Sequence, residues 1–237
     1  ERKRNFMIQI SNLSKKYGET VVFSDLNYTF ENACIYGLVG RNGAGKTTLL
    51  NILSNYDKNY TGVISIDRKK MNKVDYLDMP VAYAMDQPSF FNELTIYENL
   101  LLIASSRKIK KQEAFDKIER ILDGLGLKKY ENYSPLELSK GTMQRLNNAC
   151  AMIQEEKITI FDEPFSGLDP VQMKLLENVI VEFHKKEKGI YIISSHDIEC
   201  LQNVCDKCLL LHNGQIREIN MEEVDREEIA KILSEGE

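Results

Sequence analysis

The sequence feature that most restricts the fold is an apolar run that leads directly into a glycine-rich loop. Residues 33–39 have the composition of a buried strand, and residues 40–48 follow as Gly-Arg-Asn-Gly-Ala-Gly-Lys-Thr-Thr. The spacing from Gly40 to Gly45, Lys46 and Thr47 is that of a phosphate-binding loop. The sequence after the loop predicts a helix that begins at Lys46. A strand, a glycine-rich turn and a helix in this order predict a parallel α/β fold.

Each residue type in the loop suits the binding of phosphate. Glycines let backbone N–H groups converge on phosphate oxygens, Lys46 adds charge, and Thr47 presents a hydroxyl to Mg²⁺. The positive end of the helix dipole faces the same oxygens. We expect a bound nucleoside triphosphate with Mg²⁺, contacted by Gly40, Arg41, Asn42, Gly43, Ala44, Gly45, Lys46, Thr47 and Thr48. The loop alone does not distinguish kinases, GTPases and transport ATPases.

Composition narrows the function classes. The 237 residues carry 31 Lys and Arg against 36 Asp and Glu, a formal net charge of -5, so we expect no nucleic-acid partner. No apolar run approaches the roughly 20 residues of a membrane-spanning helix, and the N-terminus lacks a signal-peptide core. Five cysteines without a secretion signal predict buried thiols rather than disulfides. We therefore expect a cytoplasmic chain that reaches a membrane only through a partner.

Hydrophobic periodicity divides the chain into lobes. Strand patterns occur at residues 6–10, 21–23, 26–30, 61–67, 81–85, 157–161 and 190–194, with a hairpin through Asn213-Gly214. Helical patterns occupy residues 95–127 and 139–154, and another helix opens at Pro170. We predict one domain over 1–237, with a nucleotide-binding lobe at 1–86 and 156–237 and a helical lobe at 87–155.

Two acidic residues follow a short buried strand. Asp162 and Glu163 come directly after residues 157–161 and precede Pro164. Parallel sheets hold ligands at the carboxyl ends of their strands, so Asp162 is expected across from Thr47, where it would hold Mg²⁺. Glu163 is then the candidate general base that activates the attacking water. The same pair in another context would be a solvated turn.

Together these motifs resemble those of ABC-type ATPases. Residues 162–169, Asp-Glu-Pro-Phe-Ser-Gly-Leu-Asp, are similar to the Walker B motif and D-loop, and residues 138–142, Leu-Ser-Lys-Gly-Thr, are similar to the signature motif. The resemblance covers nearly the whole chain in the expected order. It implies a P-loop NTPase core with a mainly parallel sheet, an N-terminal antiparallel β subdomain and an inserted α-helical subdomain.

The resemblance also implies roles for residues that carry little signal alone. Tyr17 would stack on adenine, and His196 would be the catalytic switch histidine. Gln87 would act in the Q-loop, in catalysis and as a metal ligand. Asp169 of the D-loop would belong to the nucleotide-binding set.

Two further residues imply a dimer. In this family two ATPase domains meet head-to-tail, so Ser139 and Gly141 would contact the γ-phosphate bound by a second copy or by a homologous ATPase subunit. Lys140 and Thr142 depart from the common Leu-Ser-Gly-Gly-Gln signature. That departure leaves the rate of hydrolysis open.

The leading hypothesis is the ATP-binding subunit of a transporter with a separate transmembrane permease, peripheral on the inner face of the cell membrane. The short helical lobe, Lys140 and the sequence 194–197, Ser-Ser-His-Asp, resemble bacterial exporters of drugs, peptides or antibiotics. Phe90 and Phe91 would either contact the permease or pack inside the lobe. The alternatives are a soluble ABC ATPase acting on DNA, ribosomes or cluster assembly, and a nucleotide kinase or GTPase. The acidic charge disfavours the first, and the absence of an Asn-Lys-x-Asp run disfavours a GTPase.

Overall fold

The computed structural model describes residues 6–74, 78–196 and 198–220. The strands in these ranges are β1 (Met7–Tyr17), β2 (Thr20–Glu31), β3 (Cys34–Val39), β4 (Thr61–Ile66), β5 (Lys69–Lys70), β6 (Val81–Ala84), β7 (Ile158–Phe161), β8 (Ile190–Ser195), β9 (Lys207–His212) and β10 (Gln215–Ile219). The helices are α1 (Lys46–Leu53), α2 (Ile96–Ser106), α3 (Lys111–Gly124), α4 (Lys140–Met152), α5 (Pro170–Glu187) and α6 (Glu199–Gln202). Asp197, part of one sequence pattern above, lies outside the described residues.

A six-stranded sheet forms the centre of the fold. Its strand order is β10-β9-β3-β8-β7-β6, and all neighbours are parallel except the β9–β10 hairpin. Tyr36 and Leu38 of β3 pack into one hydrophobic cluster, whereas Ile35 and Val39 pack into the other. A strand buried on both faces needs a continuous apolar run, which is why residues 33–39 gave a clear signal.

A four-stranded antiparallel sheet, in the order β2-β1-β4-β5, packs against one face of this core. The sequence predicted three short, separate strands at 6–10, 21–23 and 26–30. This was wrong, because β1 extends to Tyr17 and β2 runs without a break from Thr20 to Glu31. Asn12 and Asp25 have positive φ values of 51°, and the β1–β2 register shifts between Ile10 and Leu13. Such bulges interrupt the side-chain alternation without ending the pairing.

The predicted helical segments are present as α2, α3 and α4. Helix α2 begins at a reciprocal cap, in which the Thr95 hydroxyl accepts from Glu98 N and a Glu98 carboxylate oxygen accepts from Thr95 N. These helices share one hydrophobic cluster with Phe161 and Tyr191 of the central sheet. Within the described residues, no helix has the length and apolarity needed to cross a bilayer.

Candidate nucleotide-binding site

The phosphate loop lies between the carboxyl end of β3 and the start of α1, as predicted. Gly43 and Gly45 have φ values of 80° and 99°. A Cβ at position 45 would lie 2.6 Å from Val22 Cγ1 and 3.0 Å from Phe23 Cζ. Both the backbone conformation and the close approach of β2 therefore require glycine at position 45.

Lys46 is the first residue of α1 and is only 7% exposed. Its ammonium donates to the Gly40 carbonyl at 2.7 Å and lies 3.6 Å from Glu163 Oε1. A buried ammonium needs such partners to offset the loss of hydration. The loop and Glu163, separate in sequence, therefore meet at this side chain.

Asp162 is 1% exposed and follows the last residue of β7. The Ser194 hydroxyl donates to Asp162 Oδ1 at 2.5 Å, and the Tyr83 hydroxyl lies 3.4 Å from Oδ2 and 3.0 Å from Asn51 Oδ1. Burial, reinforced by the charge of Asp162, raises the pKa of Tyr83, so this phenol remains a proton donor. Both carboxylate oxygens are thus fixed in orientation.

The chemistry of two predicted ligands suits Mg²⁺. Thr47 and Asp162 would provide the hydroxyl and carboxylate oxygens that this ion prefers. Among the described residues, no lysine or arginine forms an ion pair with Asp162. A buried carboxylate without a positive partner suits a bound cation.

Glu163 adopts a backbone conformation that is rare for a side chain of its size, with φ at 49°. Its N–H donates to Ser194 Oγ at 2.9 Å, and its Oε2 lies 3.0 Å from Nδ1 of His196. The His196 side chain is 63% exposed and that of Glu163 is 19% exposed. The strained backbone therefore places this carboxylate between an accessible imidazole and the Lys46 ammonium.

One cavity of about 520 Å³ joins these groups. Its wall includes Lys46, Thr47, Glu163, His196 and Tyr17, together with Asn42, Gly43, Gly45 and Thr48 from the loop. Sequence reasoning missed Asp86 and Ser166, which also line it.

Gln87 is exposed, and it is not among the described residues that line the cavity. Its catalytic and metal-binding roles therefore stay predictions.

Ser194 and Tyr83 were also missed as site residues, although a sequence signal existed for Ser194. It ends the predicted strand 190–194, and β8 pairs with β7 in parallel, with Ile193 opposite Phe161. The residues after these two positions must lie side by side. Nothing comparable in the sequence indicated Tyr83.

The signature and D-loop residues form a separate cluster on the same chain. Ser139 is the N-cap of α4, and its hydroxyl lies 2.9 Å from Thr142 Oγ1. Asp169 caps α5 by accepting from Gln172 N at 2.9 Å. A Cβ on Gly141 would lie 2.9 Å from the Gly167 carbonyl, so the two segments pack closely. Ser139, Gly141 and Asp169 are not among the described residues that line the cavity.

This geometry defines the class of protein. A phosphate loop on a central parallel strand, with Glu163 and His196 lining the same cavity, is the arrangement of a nucleotide-hydrolysing α/β domain. The family model described as ABC transporter matches residues 23–166. The chain therefore belongs to the ABC transporter family, as an ATP-binding subunit that hydrolyses ATP.

Named relatives resemble the chain over most of its length. The bacitracin transport ATP-binding protein BcrA of Enterococcus faecalis is 30% identical over 223 residues, covering 93% of this chain and 71% of that protein. The tungstate uptake system ATP-binding protein TupC of Peptoclostridium acidaminophilum is 30% identical over 211 residues, covering 89% of this chain and 97% of that protein. A solved structure of an ABC transporter ATP-binding subunit superposes with a TM-score of 0.83 at 27% identity, covering 97% of this chain and 95% of that one. The predicted P-loop NTPase fold is confirmed.

Proposed function

We propose that this ATPase works as a head-to-tail dimer and drives transport through a separate membrane permease. The observation that carries the proposal is the division of the predicted site residues. Lys46, Glu163 and His196 line one cavity, whereas Ser139 and Gly141 are not among its described lining residues. A single phosphate loop leaves outer γ-phosphate oxygens uncovered. The N-terminus of α4 from a second copy, or from a homologous ATPase subunit, would cover them.

The chemistry that follows uses three side chains. Lys46 stabilises negative charge on the phosphates. Glu163 accepts a proton from the attacking water, and His196, 3.0 Å from its carboxylate, holds that carboxylate in place. Thr47 and Asp162 would hold Mg²⁺, and the bound ion would further neutralise the charge of the triphosphate.

Further assignments complete the proposed site. Tyr17 would stack on the adenine ring, Gln87 would act in catalysis and as a metal ligand, and Asp169 would belong to the nucleotide-binding set. We propose the division into lobes at 1–86 with 156–237 and at 87–155. Both lobes contribute to one hydrophobic cluster, so we expect the helical lobe to move by a small rotation rather than by separation.

A dimerisation assay tests the two-protomer site. Glu163→Gln should accumulate as an ATP-dependent dimer in size-exclusion chromatography, because hydrolysis would otherwise release it. Adding Ser139→Arg to the same chain should abolish the dimer while leaving the ATP dissociation constant of the monomer unchanged. Ser105→Arg, at an exposed position of α2, is the matched control and should still dimerise. Loss of ATP binding together with the dimer would place Ser139 in the site of its own chain.

The proposed permease contact lies beside the Gln87 segment. Phe90 packs against the core of the helical lobe, whereas Phe91 is 61% exposed. An exposed aromatic ring at this place supports a docking role for Phe91 rather than for Phe90. The chain would then be cytoplasmic and peripheral on the inner face of the membrane. Phe91→Asp should prevent copurification with the permease while leaving ATP binding intact.

Export is the direction of transport that we propose, from the short helical lobe and the Lys140 signature. The relatives include a bacitracin transport protein and a tungstate uptake protein, so their names do not separate export from uptake. Transport assays with the copurified permease in vesicles of both orientations would determine the direction of transport. ATP-dependent movement towards the face that carries the ATPase would overturn export.

A further inference from the structure

A buried ammonium lies behind the Tyr17 ring. The Lys15 side chain is 2% exposed, and its Nζ donates to Asn59 O at 2.6 Å and to Asp57 Oδ2 at 2.7 Å. The same nitrogen lies 4.5 Å from the centroid of the Tyr17 ring. Burial of an ammonium is costly unless it is paired and hydrogen-bonded, and here a carboxylate, a carbonyl and an aromatic face all contact it.

Asp57 connects this ammonium to the edge of the same ring. Its Oδ2 accepts from the Tyr17 hydroxyl at 3.1 Å, and its Oδ1 accepts from Asn59 N at 2.8 Å. Burial alone would raise the pKa of Asp57, but Lys15 and the other donors outweigh it and lower the pKa. The carboxylate is therefore ionised at neutral pH and holds both Lys15 and the phenol.

The chain path ties this cluster to the phosphate loop. Asp57 follows the end of α1, and its N–H donates to Asn51 O at 2.9 Å. Helix α1 begins at Lys46, so one helix has the phosphate loop at its start and the anchor of Tyr17 just after its end. The distance between the ring and the loop is thus fixed by a rigid element.

We propose that Lys15 and Asp57 are positioning residues that orient Tyr17 for stacking on the base of the nucleotide. This inference rests on the proposed adenine-stacking role of Tyr17. Lys15 covers one face of the ring, while Tyr17 is 53% exposed and lines the cavity that holds the phosphate loop. A ring that is already oriented loses little conformational freedom when a purine stacks on it.

A purely structural role would have a different consequence. If the cluster only fastened β1 to the segment before β4, its loss would disturb triphosphate binding and base binding alike. A positioning role acts on the base alone. Binding of inorganic triphosphate, which lacks a base, therefore distinguishes a structural role from a positioning role.

Calorimetric titrations with ATP and with inorganic triphosphate, both with Mg²⁺, provide the test. Tyr17→Ala should weaken ATP binding by about 5- to 160-fold, the range for loss of one base–aromatic stack. Lys15→Met and Asp57→Asn should weaken it by about 3- to 10-fold. All three should bind inorganic triphosphate within about twofold of the unaltered protein, because its site is made by the loop. Lys16→Met, at the adjacent exposed lysine, should bind both ligands normally.

The outcomes separate this inference from the proposal on which it rests. Unchanged ATP binding in Tyr17→Ala would remove the stacking role and this inference with it. Normal ATP binding in Lys15→Met and Asp57→Asn, with weakened ATP binding in Tyr17→Ala, would overturn the inference alone. Equal losses of ATP and of inorganic triphosphate binding in Lys15→Met and Asp57→Asn would also overturn it. Lys15→Met combined with Tyr17→Ala should be no weaker than Tyr17→Ala, and additive losses would show that Lys15 acts independently of the ring.

Discussion

The phosphate end of the site and the signature segment differ in how their polar residues are held. At the phosphate end, Asp162 and Lys46 are buried and are held by partners from β6, β8 and the loop. At the signature segment, Ser139 and Lys140 are exposed at the start of α4. The proposed catalytic groups are thus held by the sheet of one chain, while the residues proposed to complete the site lie on its surface.

The largest effect is expected at Glu163. Glu163→Gln should lower ATP turnover by about 10²- to 10⁴-fold, because the amide cannot accept the proton of the attacking water. Steady-state phosphate release measures the loss, and Glu93→Gln, at an exposed position, should retain full turnover. Near-normal turnover by Glu163→Gln would remove this residue as the base.

A smaller loss is expected at Ser194, which supports both acidic residues. Ser194→Ala removes the donor to Asp162 Oδ1 and the acceptor of Glu163 N. Loss of such a supporting hydrogen bond typically costs about 10- to 100-fold in metal affinity or activity. Turnover measured against Mg²⁺ concentration should show a raised Mg²⁺ requirement, while Ser106→Ala should not. An unchanged requirement would mean that Asp162 needs no orienting donor.

The end of α5 provides a stability test away from both regions. Burial raises the pKa of Glu187 to about 7 from its ordinary 4.5, against the opposing effect of the Tyr191 hydroxyl, which donates to it at 2.6 Å. The folded state holds this proton more tightly, so the contribution of Glu187 is fully present below pH 4.5 and is lost as the pH rises to about 7. Glu187→Gln should therefore raise the unfolding free energy at pH 8 by about 1–2 kcal/mol, allowing for partial solvent screening.

Urea unfolding at pH 5 and pH 8 measures this effect. The difference between the two pH values should shrink in Glu187→Gln, and Glu182→Gln, at an exposed position of the same helix, should keep it. An equal difference in both variants would assign the pH dependence to other groups.

The smallest effect is expected at Lys140. The side chain is exposed, and its stem would lie 3.7 Å from a Cβ added at Gly167. An exposed, screened charge contributes less than about 1 kcal/mol, so Lys140→Gly should change turnover by less than about fivefold. Turnover at low and high salt checks this. A larger, salt-dependent loss would place Lys140 against the triphosphate of the facing subunit.

Local motifs of the site could be predicted from the sequence, whereas the contacts between distant residues could not. The loop, the start of α1 and the Asp162-Glu163 pair were predicted in place, because a buried strand and its polar terminus leave a strong local pattern. The support of Asp162 by Tyr83 and of Tyr17 by Asp57 was not, because those contacts join residues on different strands and loops. The continuity of β1 and β2 was missed because bulges break the alternation that identifies strands.

The amino-acid sequence alone was enough to predict the phosphate loop, the acidic pair, the order of motifs and therefore the family. These features depend on local spacing, which the backbone geometry of a strand, a glycine turn and a helix converts directly into structure. The packing of the folded chain was needed to find that Ser194 holds Asp162, that Lys15 lies behind Tyr17, and that Ser139 and Gly141 are not among the described residues lining the cavity. Those relations depend on which strands pair and how elements pack, and such long-range contacts leave no fixed spacing in the chain.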